Sequence, residues 1–323
     1  MSYQLLLYRD EAYPDSHIAE RYPAALQEML PAVDVVLART RAEADVHIAG
    51  ADAAFGNLPP DLFARGKRLR WIQCPQAGPD PSFYHPALVA SDVVVTNMRG
   101  IFDDHISAHI LAMVLAFARG LPRYWAQQAR REWATGAPTF YLPECTAVIL
   151  GVGGIGAETA RLCAELRMRV IAVDPRVESP PPGVAELVRP EGMNDAVACG
   201  DFVIVTVPET PATRGMFDSA FFARMKPGAV FINIGRGATT KLADLDAALR
   251  SGHLAGAGLD VFEREPLPAD HPLWDAPGML ITPHVAAAGP YLDERRSEVF
   301  LDNCRRFHDG RPLRNVVDKA NWF

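Results

Sequence analysis

The sequence predicts an α/β protein made of two doubly wound domains, each containing a parallel sheet. Short apolar segments rich in Val, Ile and Leu alternate with amphipathic helical segments, which is typical of strand–helix–strand crossover units. This alternation occurs in two blocks, separated by two helical segments and the proline-containing linker 138–143. The 323 residues also correspond to about two domains of ordinary length.

The first block contains five apolar segments that we interpret as buried parallel strands, because turn residues bound each of them. They are Gln4–Tyr8, 33–38, 46–49, 69–73 and 93–96. The apolar side chains of residues 16–30 recur at helical spacing, which predicts a helix between the first two strands. Residues 101–119 and 122–133 predict two further helices.

The second block repeats the pattern after the linker. Its predicted strands are Thr146–Leu150, 170–174, 202–207, 230–234, 257–261 and 279–282. Its predicted helices are 155–166, 219–225, Leu242–Arg250 and 291–308. Strands separated by helices must run parallel, so ligands are expected at the carboxyl ends of the strands.

The charge and apolar patterning disfavour several classes of protein. The 32 basic and 39 acidic residues give a net charge of −7, whereas nucleic-acid-binding domains usually have a basic surplus. No run approaches the ~20 apolar residues of a membrane span, and the N-terminal apolar run is too short for a signal peptide. We therefore expect a cytoplasmic protein with neither nucleic acid nor membrane as a partner.

A glycine-rich segment, 151–156, joins a predicted strand to a predicted helix, which is the context of a dinucleotide-binding turn. Its first glycine permits a tight turn, its second lets the backbone approach a pyrophosphate, and its last lets the helix pack closely on the strand. The cofactor-binding residues predicted here are Gly151, Gly153, Gly154, Ile155 and Gly156.

The next predicted strand ends in Asp174, close to the ~20 residues expected between the glycines and an acid that binds the adenosine ribose. A carboxylate there repels a 2′-phosphate, which favours NAD over NADP. Arg176 is the competing feature, since a guanidinium group could hold that phosphate. We predict NAD, with both Asp174 and Arg176 in the cofactor site.

Three polar residues follow predicted strands of the second block: Arg236, Glu265 and His284. Reduction of a carbonyl by hydride needs a proton donor, and an imidazole titrates in a suitable range. A neighbouring Glu265 would favour the imidazolium form of His284. Arg236 could bind a substrate carboxylate through its planar fork and polarise the adjacent carbonyl. Together these residues predict an oxidoreductase, although each alone has a structural explanation.

The segments 151–156, 233–237, 258–267 and 282–284 resemble those of the D-isomer-specific 2-hydroxyacid dehydrogenases, including glyoxylate/hydroxypyruvate reductases. The resemblance covers nearly the whole chain in the same order. It implies that Arg236 binds the substrate's carboxylate and carbonyl, that His284 is the acid/base, and that Glu265 pairs with His284. It also implies a Rossmann cofactor domain inserted into a flavodoxin-like substrate domain.

The same resemblance extends the two binding sites. It adds to the cofactor-binding residues Val207, Pro208, Thr213, Ile234, Gly235, Arg236, Asp260 and His284. It assigns substrate binding to Ala77, Gly78, Arg236 and His284, the first two in a loop whose backbone N–H groups face the substrate carboxylate. The sequence departs from the family's usual residues at three positions, with Gln76 in place of a glycine, Pro79 in place of a valine and Ala108 in place of a glutamate. These departures affect the inference about the substrate more than the inference about the reaction.

The family organisation implies a substrate domain formed by residues 1–99 and 289–323, and an NAD-binding domain formed by residues 100–288. It further implies a homodimer through the cofactor domains. The predicted function is the reversible, NAD-dependent reduction of a small 2-oxo acid to a D-2-hydroxy acid. Two alternatives remain open: an NAD-sensing binding protein of the co-repressor type, and a formate dehydrogenase-like oxidoreductase.

One further segment contains residue types that bind metal ions. Asp104, His105 and His109 combine an acid with two histidines at i, i+4 spacing, which can bind zinc. No third strong ligand accompanies the histidines, so we predict a polar start of a helix and no metal.

Overall fold

The computed structural model describes residues 2–9, 14–79 and 81–322 of the chain. It divides into two compact units. Unit 1 comprises Met1–Ile101 and Pro290–Phe323, and unit 2 comprises Phe102–Gly289. Unit 2 begins two residues later and ends one residue later than the inserted domain 100–288 predicted from the sequence.

Unit 1 contains a five-stranded parallel sheet in the order β2-β1-β3-β4-β5. Its strands are β1 Gln4–Tyr8, β2 Asp34–Ala38, β3 Ala53–Phe55, β4 Trp71–Gln73 and β5 Val94–Thr96. Its α-helices are α1 Tyr22–Met29, α2 Arg41–His47, α3 Pro60–Phe63, α4 Pro86–Val89 and α11 Leu292–Asp309. This strand order is that of the flavodoxin-like fold, as predicted.

The strand predicted at residues 46–49 is wrong. Thr40 caps α2 by accepting a 3.2 Å hydrogen bond from the backbone amide of Glu43, and the helix continues through Val46. Burial follows helical spacing, because Ala44 and Ile48 are fully buried whereas Val46 is 73% exposed. The strand of this crossover unit is instead Ala53–Phe55.

An aromatic cluster fills the core of unit 1 and joins both ends of the chain. The ring of Phe300, on α11, lies 4.4 Å from that of Tyr22, 4.9 Å from that of Phe55 and 6.0 Å from that of Trp71, measured between centroids. After α11 the chain returns to β5, where the amide of Val317 donates a 2.9 Å hydrogen bond to the Val95 carbonyl.

Unit 2 contains a seven-stranded parallel sheet in the order β12-β11-β10-β9-β6-β7-β8. Its strands are β6 Thr146–Leu150, β7 Arg169–Val173, β8 Glu186–Val188, β9 Phe202–Val205, β10 Val230–Asn233, β11 Gly256–Leu259 and β12 Met279–Ile281. Its α-helices are α5 Asp103–Ala118, α6 Leu121–Arg130, α7 Gly154–Glu165, α8 Met193–Cys199, α9 Ser219–Arg224 and α10 Leu242–Arg250.

The order of this sheet is that of the Rossmann fold with a seventh strand at one edge, which confirms the predicted fold class. In strands β6, β7, β9 and β10, alternate residues belong to two hydrophobic clusters, one on each face of the sheet. Gly258 of β11 provides room for α5, since a Cβ there would lie 2.8 Å from the sulfur of Met113.

Among the described residues, no single helix is both long and apolar enough to cross a membrane. Helices α5 and α6 reach that length and apolar character only when taken together, and the pair is bent by 72°.

Candidate active site

The turn after β6 depends on two of its glycines. Gly151 has a φ of +90°, a conformation that residues with a side chain rarely adopt. A Cβ at Gly156 would overlap the carbonyl oxygen of Gly151, so only a glycine lets α7 approach this closely. Between them, half-buried Ile155 packs against the hydrophobic cluster that contains α5.

Thr206 supports this turn from the neighbouring strand end. Its hydroxyl donates a 2.6 Å hydrogen bond to the Gly151 carbonyl. Thr206 was not among the residues predicted for the site. The signal for it was a polar residue directly after the apolar strand β9, at an edge of the sheet where ligands bind.

Gly153 and Gly154 begin α7 beside an acidic side chain. A Cβ at Gly153 would meet no protein atom within 4 Å, and φ is −64° there, so neither packing nor conformation requires a glycine. The missing side chain instead fits the close approach of a phosphate to the helix N-terminus. At Gly154 a Cβ would overlap the Asp103 carboxyl. Burial, with the nearby Asp104 and Glu158 carboxylates, raises the pKa of Asp103 above its ordinary value.

Asp174 follows β7 and is only 3% exposed. One carboxylate oxygen accepts a 3.0 Å hydrogen bond from the amide of Val152, and the other accepts from the amides of Arg176 and Val177 at 2.8 and 3.1 Å. Burial opposes ionisation, but these hydrogen bonds and the Arg176 charge outweigh it and hold the pKa of Asp174 below its ordinary value. Asp174 is therefore an anion that ties its own turn to the glycine turn.

A second arginine joins the turn after β7. The Nη1 atom of Arg189 donates a 2.8 Å hydrogen bond to the carbonyl of Pro175, next to the exposed Arg176. Arg189 was not predicted, because it lies beyond β8, a short edge strand that no apolar run in the sequence indicates. The region predicted for the adenosine ribose therefore contains one carboxylate and two guanidinium groups.

The loop after β9 lies between two of the predicted cofactor turns. A Cβ at Gly151 would lie 3.1 Å from Cγ1 of Val207, and a Cβ at Gly235 would lie 2.5 Å from the Val207 carbonyl oxygen. Within the loop, the Thr213 hydroxyl donates a 2.8 Å hydrogen bond to the Pro208 carbonyl, which closes the turn. The structure thus brings together the adjoining strand ends that carry Gly151, Val207, Ile234 and Gly235.

Arg236 lies in the turn after β10, and buried Asn233 determines the shape of that turn. The Asn233 side chain accepts a 2.9 Å hydrogen bond from the amide of Gly235 and donates one of 3.3 Å to the carbonyl of Arg236. A Cβ at Gly237 would overlap the carbonyl of Phe262, so this turn packs directly on the loop after β11. Asn233 was missed as a positioning residue, although it is a polar residue ending an apolar strand.

His284 and Glu265 form a close pair, with 2.7 Å between Nδ1 of His284 and Oε2 of Glu265. A carboxylate only accepts hydrogen bonds, so Nδ1 carries a proton and Nε2 is the atom that can exchange one with a ligand. The other oxygen of Glu265 accepts a 2.9 Å hydrogen bond from the amide of Phe262. His284 also has a φ of +53°, a strained conformation of the kind found at functional sites.

The three charged residues influence one another electrostatically. The hydrogen bond that His284 donates to Glu265 outweighs burial and raises the pKa of His284 above its ordinary value. Burial opposes the ionised form of Glu265, but the hydrogen bonds from His284 and Phe262 hold the pKa of its carboxyl below its ordinary value. The charge of Arg236 lowers both values, so the structure brings Arg236, Glu265 and His284 within electrostatic reach.

Asp260, which is 1% exposed, holds the loop that carries His284. Its carboxylate accepts hydrogen bonds from the hydroxyl of Thr282 at 2.6 Å and from the amides of Val285 and Ala286 at 2.9 Å each. These contacts give Asp260 a role within the protein. The predicted contact between Asp260 and the cofactor stays a prediction.

The predicted substrate loop belongs to unit 1. The carbonyl of Ala77 accepts a 2.7 Å hydrogen bond from the Asn97 side chain, and that of Gln76 accepts one of 3.0 Å from the amide of Met98. The thiol of Cys74 donates a 3.3 Å hydrogen bond to the Gln76 side chain. Gly78 follows Ala77 in this loop. Asp80, the last residue of the segment 76–80, lies outside the described residues.

The cluster considered for zinc does not come together as a metal site. In the described part of the chain, no three His, Cys, Asp or Glu side chains are grouped so that they could hold an ion. His109 instead contacts a hydroxyl, with 3.0 Å between its Nε2 atom and Oγ1 of Thr282.

Comparison with known proteins relates both units to one family. Residues 111–286 match the family model of the D-isomer specific 2-hydroxyacid dehydrogenase, NAD binding domain. A glyoxylate/hydroxypyruvate reductase A from Yersinia enterocolitica is 29% identical over 94% of this chain and 96% of its own length. The alignment therefore extends through both units.

Two solved structures have the same fold along the whole chain. A D-isomer specific 2-hydroxyacid dehydrogenase from Xanthobacter autotrophicus Py2, in complex with NADPH and MES, has a TM-score of 0.84, 31% identity and full coverage of both chains. An NADPH-dependent glyoxylate/hydroxypyruvate reductase from Sinorhizobium meliloti, in complex with NADP and sulfate, has a TM-score of 0.83, 30% identity and the same coverage. The chain belongs to the D-isomer specific 2-hydroxyacid dehydrogenase family.

Proposed function

We propose that the protein reduces a small 2-oxo acid to the D-2-hydroxy acid with NADH and also catalyses the reverse reaction. The observation that carries this proposal is the 2.7 Å contact between His284 and Glu265, with Arg236 acting electrostatically on both. A relative named for glyoxylate and hydroxypyruvate reduction supports a small substrate of this class.

The proton transfer follows from the orientation of His284. Glu265 engages Nδ1, so the imidazolium donates its Nε2 proton to the carbonyl oxygen of the substrate. Arg236 binds the substrate carboxylate and stabilises negative charge developing on the carbonyl oxygen. When bound, the nicotinamide supplies the hydride that the carbonyl carbon accepts. In the reverse direction, neutral His284 takes the proton from the hydroxyl group.

The two directions have opposite pH dependence. Reduction needs the imidazolium, so it is fastest below the pKa of His284 and is lost as the pH rises through that value. Oxidation needs the neutral ring and is gained over the same interval. Because Glu265 raises the pKa of His284, reduction persists to higher pH than an unpaired histidine would permit.

The experiment that tests the proposal is a panel of 2-oxo acids, including glyoxylate, hydroxypyruvate and pyruvate, followed by the absorbance of NADH. We expect turnover of at least one acid, and a decrease in kcat of about 10²- to 10⁴-fold in His284→Asn, the loss expected for a general acid. Absence of turnover with every acid and both cofactors would overturn the proposal, as would an unchanged kcat in His284→Asn.

We further propose NAD as the preferred cofactor. The ionised, buried carboxylate of Asp174 supports this preference, because it repels a 2′-phosphate. Arg176 and Arg189 oppose this preference, and the two solved relatives described above contain NADPH or NADP. The test is the kcat/KM for NADH divided by the kcat/KM for NADPH. A quotient above one would support NAD as the preferred cofactor, and a quotient below one would reject it.

We also propose that the protein is a homodimer formed through unit 2. The support is a set of exposed apolar side chains on α5, α6 and the segment that follows: Leu115, Leu121, Trp125, Trp133 and Tyr141. Apolar surface of this kind is typical of association sites. Light scattering at micromolar concentration should give twice the 35.3 kDa chain mass, and a monomer would contradict the proposal.

A further inference from the structure

The loop that carries His284 is attached to the rest of unit 2 at both of its ends. At one end, the hydroxyl of Thr282 donates a 2.6 Å hydrogen bond to Asp260. At the other, the amides of Val285 and Ala286 donate to the same carboxylate. His284 lies between these attachments in its strained left-handed conformation. A residue in such a conformation keeps it only when its surroundings hold both flanks.

A residue from a distant part of the chain completes one attachment. Nε2 of His109, on α5, lies 3.0 Å from Oγ1 of Thr282 and 3.9 Å from Oδ1 of Asp260. The single hydroxyl proton of Thr282 is donated to Asp260, so the hydroxyl oxygen accepts a hydrogen bond from the Nε2–H group of His109. Helix α5 and the residues directly after β11 and β12 therefore meet at the Thr282 hydroxyl.

We propose that His109 is a positioning residue for His284 and acts through the Thr282 hydroxyl. The donated hydrogen bond from His109 polarises the hydroxyl and strengthens its bond to Asp260. That bond fixes the start of the loop, and the loop fixes the direction in which His284 presents Nδ1 to Glu265. Without His109, the loop is free to relax, and the 2.7 Å pair that raises the pKa of His284 is weakened.

This inference rests on the proposed function for its kinetic readout, but it also predicts a property of the protein without substrate. The side chain of His284 should titrate at lower pH once its contact with Glu265 loosens. Proton–nitrogen NMR of the imidazole rings follows this titration directly, and the signals of His284 are identified by their absence in His284→Asn.

The test compares two substitutions at each of two positions. Leucine at position 109 cannot donate, whereas glutamine carries an amide nitrogen close to the position of Nε2. Valine at position 282 has nearly the shape of threonine without the hydroxyl, whereas serine keeps it. We expect His109→Leu and Thr282→Val each to lower kcat for reduction about tenfold and to move the His284 titration to lower pH. His109→Gln and Thr282→Ser should stay within about threefold of the parent.

A double substitution separates positioning from a general loss of stability. Because both residues act through one hydroxyl, His109→Leu combined with Thr282→Val should lower kcat no further than Thr282→Val alone. The control is His253→Leu, since His253 is another half-buried histidine of unit 2, with Nε2 3.0 Å from the Phe222 carbonyl. It should lower thermal stability without moving the titration of His284.

Specific outcomes overturn the inference. A folded His109→Leu protein with unchanged His284 titration and unchanged kcat would do so, as would equal losses in His109→Leu and His109→Gln or additive losses in the double variant. Lack of turnover in the parent protein would reject the proposed function alone, because the titration of His284 would still show whether His109 positions it.

Discussion

Replacing Glu265 with glutamine removes the negative charge next to His284 while keeping the size and shape of the side chain. The pair is 2.7 Å apart, and its side chains are 49% exposed for His284 and 36% for Glu265. Water therefore screens the interaction strongly, and the dielectric constant of water is the appropriate limit. Two unit charges at this separation then attract by about 1.5 kcal/mol, which corresponds to about a tenfold change in the population of the imidazolium.

The expected result depends on pH. The raised pKa of His284 keeps the imidazolium present as the pH rises, and loss of the carboxylate lowers that pKa. In Glu265→Gln, the decline of kcat/KM for reduction should therefore begin at lower pH. On this alkaline side, activity should be about tenfold below that of the parent. At acid pH the imidazolium forms in both proteins, so the difference should be smaller.

The assay is kcat/KM for reduction of the best 2-oxo acid at a series of pH values, with constant ionic strength. Glu263→Gln is the matched control, because Glu263 is an exposed glutamate of the same loop and should leave the profile unchanged. A parallel decrease at all pH values would refute the electrostatic argument and leave only an orienting role for Glu265. An unchanged profile would refute both roles.

Three further outcomes are expected. Arg236→Ala should raise KM for the oxo acid about 10- to 100-fold, since a charge-assisted hydrogen bond contributes about 1.5–3 kcal/mol, and an unchanged KM would remove Arg236 from the substrate site. Asp174→Asn should lower the kcat/KM ratio of NADH to NADPH about tenfold, equivalent to ~1.4 kcal/mol, and a constant ratio would reject charge repulsion as the basis of the preference. Phe300→Ala should lower the free energy of unfolding by about 3–5 kcal/mol in urea titrations, and a loss below about 1 kcal/mol would contradict the packing described for α11.

The strands could be predicted where the sequence has a distinct run of apolar residues, whether the strand lies inside its sheet or at the edge. The first strands of the two sheets, Gln4–Tyr8 and Thr146–Leu150, have the predicted bounds because each is buried between two neighbours. Residues 46–49 were mistaken for a strand because four residues cannot distinguish a strand from a helix end, and the cap at Thr40 decided the outcome. Edge strand β8 was missed because it is only three residues long and begins with an exposed glutamate, so it provides no distinct apolar run.

The proximity of Arg236, Glu265 and His284 was predictable, because each follows a strand of one parallel sheet and the ends of such strands share an edge. The structure brings Arg236, Glu265 and His284 within reach of one another. The residues that position them were not predictable, because their role depends on backbone contacts between different strand ends. Asn233 and His109 illustrate this: each acts on a loop whose position becomes known only in the folded chain.

The aromatic cluster around Phe300 has a consequence for the order in which the protein folds during synthesis. Unit 2 is a continuous segment, so its whole sheet can form as soon as Gly289 has left the ribosome. Unit 1 cannot complete its core at that stage, because Tyr22, Phe55 and Trp71 still lack the ring that packs between them. The N-terminal part of unit 1 is therefore synthesised first but completes its folding last. Until α11 is made, its aromatic side chains stay exposed, and this surface is where the nascent chain would most need a chaperone.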